Sequence, residues 1–142
     1  MIIKLVCAAV GSLGFGMYVN SKNNKLFSIA ISGFLNYFSY YATYKMTGSV
    51  FTASTVCALV TFVYSNIMAY VEKCPSTVFI LTGLIPIVPG ASLFYMMQNL
   101  VLSNKALFIK YGIEASWTVI GIAFGITLAS VILKIIRKSK NA

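Results

Sequence analysis

The chain has no histidine and only two acidic residues, which removes much of the usual chemistry of soluble enzymes. Without histidine it lacks the commonest metal ligand and the side chain that usually carries protons near neutral pH. Charged residues make up 9% of the 142 positions, whereas a typical soluble domain has roughly 25%. Because 59% of the residues are hydrophobic, we predict an all-α integral membrane protein that forms one domain over residues 1–142.

The three cysteines have no metal-type spacing, and no nucleophile is paired with a base. Cys7 and Cys57 lie inside apolar runs, where a cysteine behaves as a small hydrophobic residue. We therefore expect no metal ion, no cofactor and no enzymatic activity.

The net charge of +9 comes from basic residues that stand singly or in pairs between apolar runs, with one cluster near the end of the sequence. This pattern is typical of topology determinants and of contacts with anionic lipids. It lacks the interleaved aromatic residues of a nucleic-acid-binding patch, so the expected partner is the lipid bilayer and not nucleic acid. The cluster consists of Lys134, Arg137, Lys138 and Lys140.

Apolar segments long enough to span a membrane occur about five times, where a straight span needs roughly 20 residues. The fourth segment is longer than one straight crossing needs, so it must tilt or break, and it either crosses or re-enters and returns. The stretch Lys105–Gly112 can be a turn of interfacial helix or a loop. The predicted spans are residues 2–19, 26–44, 50–71, 77–102 and 114–136.

The basic residues also predict an orientation, because the cytoplasmic side of a membrane protein carries the excess of lysine and arginine. If the fourth segment crosses, one face collects seven basic residues and the other four; if it re-enters, the division is six and five. We predict five crossings, with the N-terminus outside and the C-terminus in the cytoplasm. The face with seven carries Lys22, Lys25, Lys73, Lys134, Arg137, Lys138 and Lys140.

A Pro-x-x-Pro-Gly segment inside the fourth apolar run is the most informative feature. Pro86 and Pro89 each remove a backbone N–H, and Gly90 tolerates dihedral angles that other residues avoid. Membrane helices tolerate such a break where protein or a water-filled cavity satisfies the freed carbonyls, and transporters build substrate sites there. A carboxylate would be attracted to the N–H groups after the break, unless the segment is only a kink satisfied by neighbouring helices. The N–H groups predicted to be free are those of Ala91, Ser92 and Leu93, and Ser92 adds a hydroxyl.

Polar side chains inside the predicted spans are mostly uncharged. Asn36 and Asn66 either bond between helices or line a wet path, and we include both as candidate substrate-binding residues. The two acids lie at predicted membrane boundaries. Glu114 is interpreted either as a first-turn acid favoured by the helix dipole or as a carboxylate that couples transport to protons. Glu72, beside Lys73, is interpreted as part of a solvated loop pair.

Small residues recur every fourth position in the first and fifth predicted spans. Such a smooth face lets another helix approach closely. We expect this face either to pack within a five-helix bundle or to dock a partner subunit. The residues are Ala8, Ser12 and Gly16 in the first span, and Gly121, Gly125 and Ala129 in the fifth.

The segment Pro86-x-x-Pro89-Gly90, followed by small residues and an aromatic in the fourth of five spans, resembles the threonine/serine exporter family. More specifically, the chain is similar to the small, separately encoded subunit of the split form, which corresponds to the C-terminal half of single-chain exporters. The run Gly14-Phe15-Gly16 before Asn20 and the early Gly33 of the second span are also similar.

Two positions depart from the family's pattern. Family members frequently have a proline after the asparagine that ends the first span, whereas here Ser21 and Lys22 follow Asn20. The aromatic residue four positions past the glycine is frequently a tyrosine, whereas here it is Phe94, with Tyr95 next. A role for a tyrosine hydroxyl is therefore not carried over to position 94.

The resemblance implies a secondary exporter in the cytoplasmic (inner) membrane of a prokaryote, with threonine, serine or dicarboxylates such as succinate as substrates. It also implies a larger multi-span partner subunit of the same family, on which we expect most coupling residues to lie. The rival interpretations are a non-transporting scaffold or assembly subunit and a small channel-forming protein. The substrate, the coupling ion and the subunit ratio do not follow from the sequence.

Overall fold

The computed structural model describes residues 2–21 and 23–140, and every regular element in these two ranges is helical. Lys22, one of the basic residues counted for orientation, lies outside the described residues. The elements are α1 (Ile2–Tyr18), α2 (Asn23–Thr47), α3 (Val50–Val71), α4 (Ser76–Leu84), a 3-10 turn (Ile85–Ile87), α5 (Gly90–Val101) and α6 (Lys105–Lys140).

Helix α3 is the central helix, because α2, α4 and α6 all pack against it. Its buried positions carry only small side chains that recur at helical spacing, so three neighbours can approach its backbone closely. These positions are Ala53, Ser54, Cys57, Ala58, Thr61 and Ser65.

The approach between α6 and α3 is especially close. A methyl group at Gly125 would lie 2.5 Å from the Thr55 carbonyl oxygen and 2.9 Å from the Ala58 Cβ. A methyl group at Gly121 would lie 2.8 Å from the Phe51 carbonyl oxygen. Gly121 lies beside Phe51, and Gly125, four residues later, lies beside Thr55, also four residues later. Helix α6 therefore runs parallel to α3.

Helix α1 packs antiparallel on α2 through its own small residues. A methyl group at Gly33 would overlap the Ser12 Oγ, and one at Gly16 would lie 2.9 Å from the Ile29 Cδ1. Ala8 and Ser12 are buried in this contact. The small residues of α1 and α6 therefore both face helices of the same chain.

Three helices end on a residue with a left-handed backbone, followed by an amide that bonds to the carbonyl five residues back, as in a Schellman motif. Asparagine is well suited to this conformation, whereas lysine and serine adopt it at a cost. The three residues are Asn20 (φ 57°) after α1, Lys73 (φ 48°) after α3 and Ser103 (φ 56°) after α5.

Helix α6 begins much earlier than the predicted fifth span, which started at residue 114. The Asn104 Oδ1 accepts a hydrogen bond from the Leu107 amide at 3.3 Å and so caps the first turn. The stretch Lys105–Gly112, left open between helix and loop by the sequence, is therefore continuous helix. Its first part packs against α5 and its middle against α3.

Two helices are long and apolar enough to cross a membrane, namely α3 and the part Lys105–Ile136 of α6. Helices α4 and α5 provide a third crossing if the pair, which is bent by 47° at the break, forms one span. Helix α1 is apolar but shorter. By length and composition the described chain thus supports two or three crossings, fewer than the five predicted from the sequence.

We predict that Gly125→Ala destabilises the fold by about 1–3 kcal/mol, because the added methyl group must displace backbone rather than a flexible side chain. Gly14→Ala on α1 is the matched control, since a methyl group there meets nothing within 4 Å. Unfolding in lipid nanodiscs compares the two variants. Equal stability of both variants would contradict the close packing of α6 on α3.

Candidate functional site

The break between α4 and α5 is built by two prolines. Pro86 lies in the 3-10 turn and lacks the amide that would bond to the Thr82 carbonyl four residues back. Pro89 (φ −75°, ψ 47°) stands immediately before α5. The Val88 amide bonds to the Ile85 carbonyl at 3.3 Å, three residues back, as in a 3-10 turn.

The first turn of α5 leaves two backbone amides free. The Leu93 amide donates to the Pro89 carbonyl oxygen at 3.0 Å, so the predicted free N–H at Leu93 is wrong. Within the described ranges the amides of Ala91 and Ser92 have no backbone acceptor. A methyl group at Gly90 would meet nothing within 4 Å, so the turn is open. An anion is the ligand that such a helix end attracts.

A groove of about 420 Å³ between α5 and α6 begins one residue beyond this turn. Its size falls in the range of about 300–1,000 Å³ that is typical of small-molecule sites. Its lining is mostly apolar, with one hydroxyl group from Ser116. The lining residues are Leu93, Met96, Gly112, Ala115, Ser116, Val119 and Ile120.

A second group of polar residues lies where α1, α2, α3 and α4 meet, and we call it the polar cluster. All its members are between 0% and 1% exposed. The Asn36 Nδ2 donates a hydrogen bond to the Thr61 Oγ1 at 2.8 Å, which joins α2 to α3. The cluster consists of Ser12, Ser32, Asn36, Thr61 and Ser65.

Two glycines bring the four helices together at this cluster. A methyl group at Gly83 of α4 would overlap the Ser32 Oγ and would lie 2.9 Å from the Thr61 Cγ2. Gly33, next to Ser32 on α2, faces Ser12 of α1. The cluster is therefore held by close backbone approach and not by bulky side chains.

The polar cluster contains four polar atoms that are buried without a hydrogen-bond partner among the described residues. Each such atom costs about 1–3 kcal/mol if it stays unpaired. Hydroxyl groups elsewhere in the helices donate hydrogen bonds to carbonyls of their own helix; Ser54, for example, donates to the Val50 carbonyl at 2.8 Å. The four atoms are the Ser12 Oγ, Ser32 Oγ, Asn36 Oδ1 and Ser65 Oγ.

The two candidate asparagines lie in different environments. Asn36 is completely buried in the polar cluster, whereas Asn66 is half-buried. The Asn66 Nδ2 donates to the Phe62 carbonyl of its own helix at 2.8 Å, so it is satisfied locally. The structure does not bring Asn66 into the polar cluster.

The two acidic residues lie in settings that differ from those predicted, while the coupling role of Glu114 stays a prediction. Glu114 lies inside α6, whose first turn has no acid, so its interpretation as a first-turn acid is wrong. The helix begins at Lys105 instead. Glu72 accepts a hydrogen bond from the Ser28 hydroxyl, and the Tyr64 hydroxyl donates to the Ser28 carbonyl at 2.9 Å. Glu72 thus ties the end of α3 to α2 and is more than a solvated loop residue.

The long apolar helices, the interrupted α4–α5 pair and the open α5 terminus define an α-helical membrane protein. The family model described as "Threonine/Serine exporter, ThrE" matches residues 4–132, and the chain belongs to this family. The family consists of membrane exporters of threonine/serine-type substrates and is not enzymatic. No curated protein and no solved structure matches the chain.

We predict that Thr61→Val destabilises the fold by about 1–3 kcal/mol, because it leaves the buried Asn36 Nδ2 without an acceptor. Thr82→Val is the matched control: Thr82 is equally buried, but its hydroxyl only bonds to the Val78 carbonyl of its own helix at 2.7 Å. Thermal unfolding measures the stability of both variants.

The double variant Asn36→Leu, Thr61→Val should recover much of this loss, since both polar partners are then replaced by apolar groups. A Thr82→Val variant as unstable as Thr61→Val would contradict the special role of the α2–α3 hydrogen bond.

Proposed function

We propose that the chain is one subunit of a secondary transporter that exports small carboxylate-bearing metabolites. Threonine and serine are the first candidates, and dicarboxylates such as succinate are the second. Family membership supports the class of transporter. In this proposal the substrate's carboxylate binds at the start of α5, next to Pro89 and Gly90.

The observation that carries the proposal is the open first turn of α5. The amides of Ala91 and Ser92 lack backbone acceptors and stand at the positive end of a 12-residue helix. Hydrogen bonds to charged groups contribute about 1.5–3 kcal/mol each, enough to select a carboxylate over a neutral group. The adjoining groove between α5 and α6 offers room for the rest of a small metabolite.

The exposure of the break supports a partner subunit. Val88 lies within it and Phe94 lies in the helix that follows, and they are 53% and 65% exposed. Lipid cannot satisfy free amides, and irregular backbone at membrane depth occurs where protein or a water-filled cavity covers it. We propose that a larger multi-span subunit of the same family covers the break and completes an aqueous path.

The proposed topology has five crossings in the inner membrane of a prokaryote, with α4 and α5 as the two halves of one broken span. The N-terminus lies outside and the C-terminus in the cytoplasm. The uneven distribution of basic residues supports this orientation. Helix α1 packs antiparallel on α2, and the hydrogen-bonded pairs Asn36–Thr61 and Ser28–Tyr64 show that α2 also runs antiparallel to α3, which is compatible with successive crossings.

Ala91→Pro tests the carboxylate site directly, because it deletes one free amide in a first turn where proline is tolerated. We expect the substrate concentration for half-maximal efflux to rise about tenfold or more, as the loss of one charge-assisted hydrogen bond predicts. The matched control is Ala106→Pro, the same change at the second residue of α6. Equal loss of efflux in both variants, or none in Ala91→Pro, would contradict the site.

The proposed complex is tested by efflux of labelled threonine, serine and succinate from cells that lack their own exporters. The chain, the partner subunit and both together are compared, with membrane insertion verified for each. We expect saturable efflux only from the pair. Efflux from this chain alone would contradict the need for a partner. A stable complex without efflux of any of the three would favour the scaffold function.

A further inference from the structure

We propose that the polar cluster binds a single sodium ion. The ligands would be the Ser32 Oγ, the Asn36 Oδ1 and the Thr61 Oγ1, together with the Thr82 carbonyl oxygen that Pro86 leaves without its helical partner. The Oγ atoms of Ser12 and Ser65 are likewise buried without a hydrogen-bond partner among the described residues. The inference concerns the chain itself, and only the use of the ion to drive export rests on the proposed function.

The unpartnered oxygen atoms are the first argument. Nearly every other helical hydroxyl or amide group inside the bundle donates to a carbonyl of its own helix, as Ser54, Thr82 and Asn66 do. At the junction of four helices, the Ser32 Oγ makes no such bond, and the Asn36 Oδ1 accepts no hydrogen bond from the described residues. Buried oxygen atoms without partners call for a bound ligand, and a cation would serve by accepting their lone pairs.

The end of α4 is the second argument. The last turn of this helix presents its partial negative charge, and Pro86 frees the Thr82 carbonyl there. Gly83 holds this turn against Ser32 and Thr61. Carbonyls at the end of a half-helix are a recurrent source of ligands for sodium in broken-helix transporters.

Size and charge restrict the ligand to a small monovalent cation. The cluster is almost completely buried and tightly packed, so a metabolite does not fit beside Gly83. All the oxygen atoms are uncharged, and the described residues contain no group of three or more histidine, cysteine or acidic side chains. Divalent and transition metals generally require carboxylate, imidazole or thiolate ligands, whereas a neutral oxygen set suits a monovalent ion.

The cation site is distinct from the proposed carboxylate site. Ala91 follows Gly83 by eight residues, which is roughly 10 Å or more of helical rise. The ammonium and carboxylate groups of one amino acid are attached to the same carbon and cannot reach both places. The two prolines thus create a negative helix end for a cation and a positive helix end for an anion.

The experiment is thermal unfolding of the full chain in lipid nanodiscs, in sodium chloride and in choline chloride at equal ionic strength. We expect a saturable rise of about 5 °C or more in the midpoint at sodium concentrations about 100-fold above the dissociation constant. In choline, Ser32→Ala should be at least as stable as the wild type, because it removes an unpaired buried oxygen. In sodium the wild type should gain stability and Ser32→Ala should not.

Ser54→Ala is the matched control, since Ser54 is equally buried but donates to its own helix, and its sodium response should equal that of the wild type. A wild type whose midpoint is the same in sodium and choline would overturn the proposal and assign ordered water to the cluster. A Ser32→Ala variant that keeps the full sodium response would also overturn it. Neither readout depends on transport, so failure of the export proposal would not mimic these results.

Discussion

The close approach of three helices to the small side chains of α3 is the constraint on which the other features depend. Because α3 presents serine, alanine and threonine instead of leucine, α6 can pack through Gly125 against the α3 backbone and α4 through Gly83 against the Thr61 side chain. This packing lines the contacts at α3 with small side chains, while the bulkier Phe79 and Ile29 are also fully buried in the bundle. Polar atoms such as the Asn36 Oδ1 are consequently buried with few protein partners.

The break between α4 and α5 makes the two sides of the interrupted helix chemically different. One helix ends at Leu84 beside buried hydroxyl groups, and the next begins at Gly90 on an open surface. A continuous helix would satisfy its own carbonyls and amides along this length, whereas Pro86 and Pro89 free groups of opposite partial charge on the two sides. Two ligands of opposite charge can thus be held by one interrupted helix.

Local features were predictable from the sequence, and contacts between distant segments were not. The small-residue repeats of α1 and α6 are visible as spacing, and Asn36 stands out as a polar residue in an apolar run. Ser32 and Gly83 gain their importance only because the fold brings them together across 51 positions of the chain. No periodicity marks such a contact.

The stretch Lys105–Gly112 stayed open between helix and loop because Lys105, Lys110 and Glu114 are typical of a polar boundary in an otherwise apolar sequence. The available signal was Asn104, a good N-cap residue just before the helix. The segment 105–112 packs on α5, and this contact between separate helices favours helix despite the charged residues. A contact of this kind is not visible in the local sequence.

Cysteine labelling from the two sides of the membrane determines whether α4 and α5 form one broken span. In a chain without Cys7 and Cys57, the native Cys74 before α4 is compared with Ser103→Cys after α5. The account predicts that an impermeant thiol reagent reaches Cys74 only from the cytoplasm and position 103 only from outside. Labelling of both positions from the same side would contradict it and establish a re-entrant hairpin.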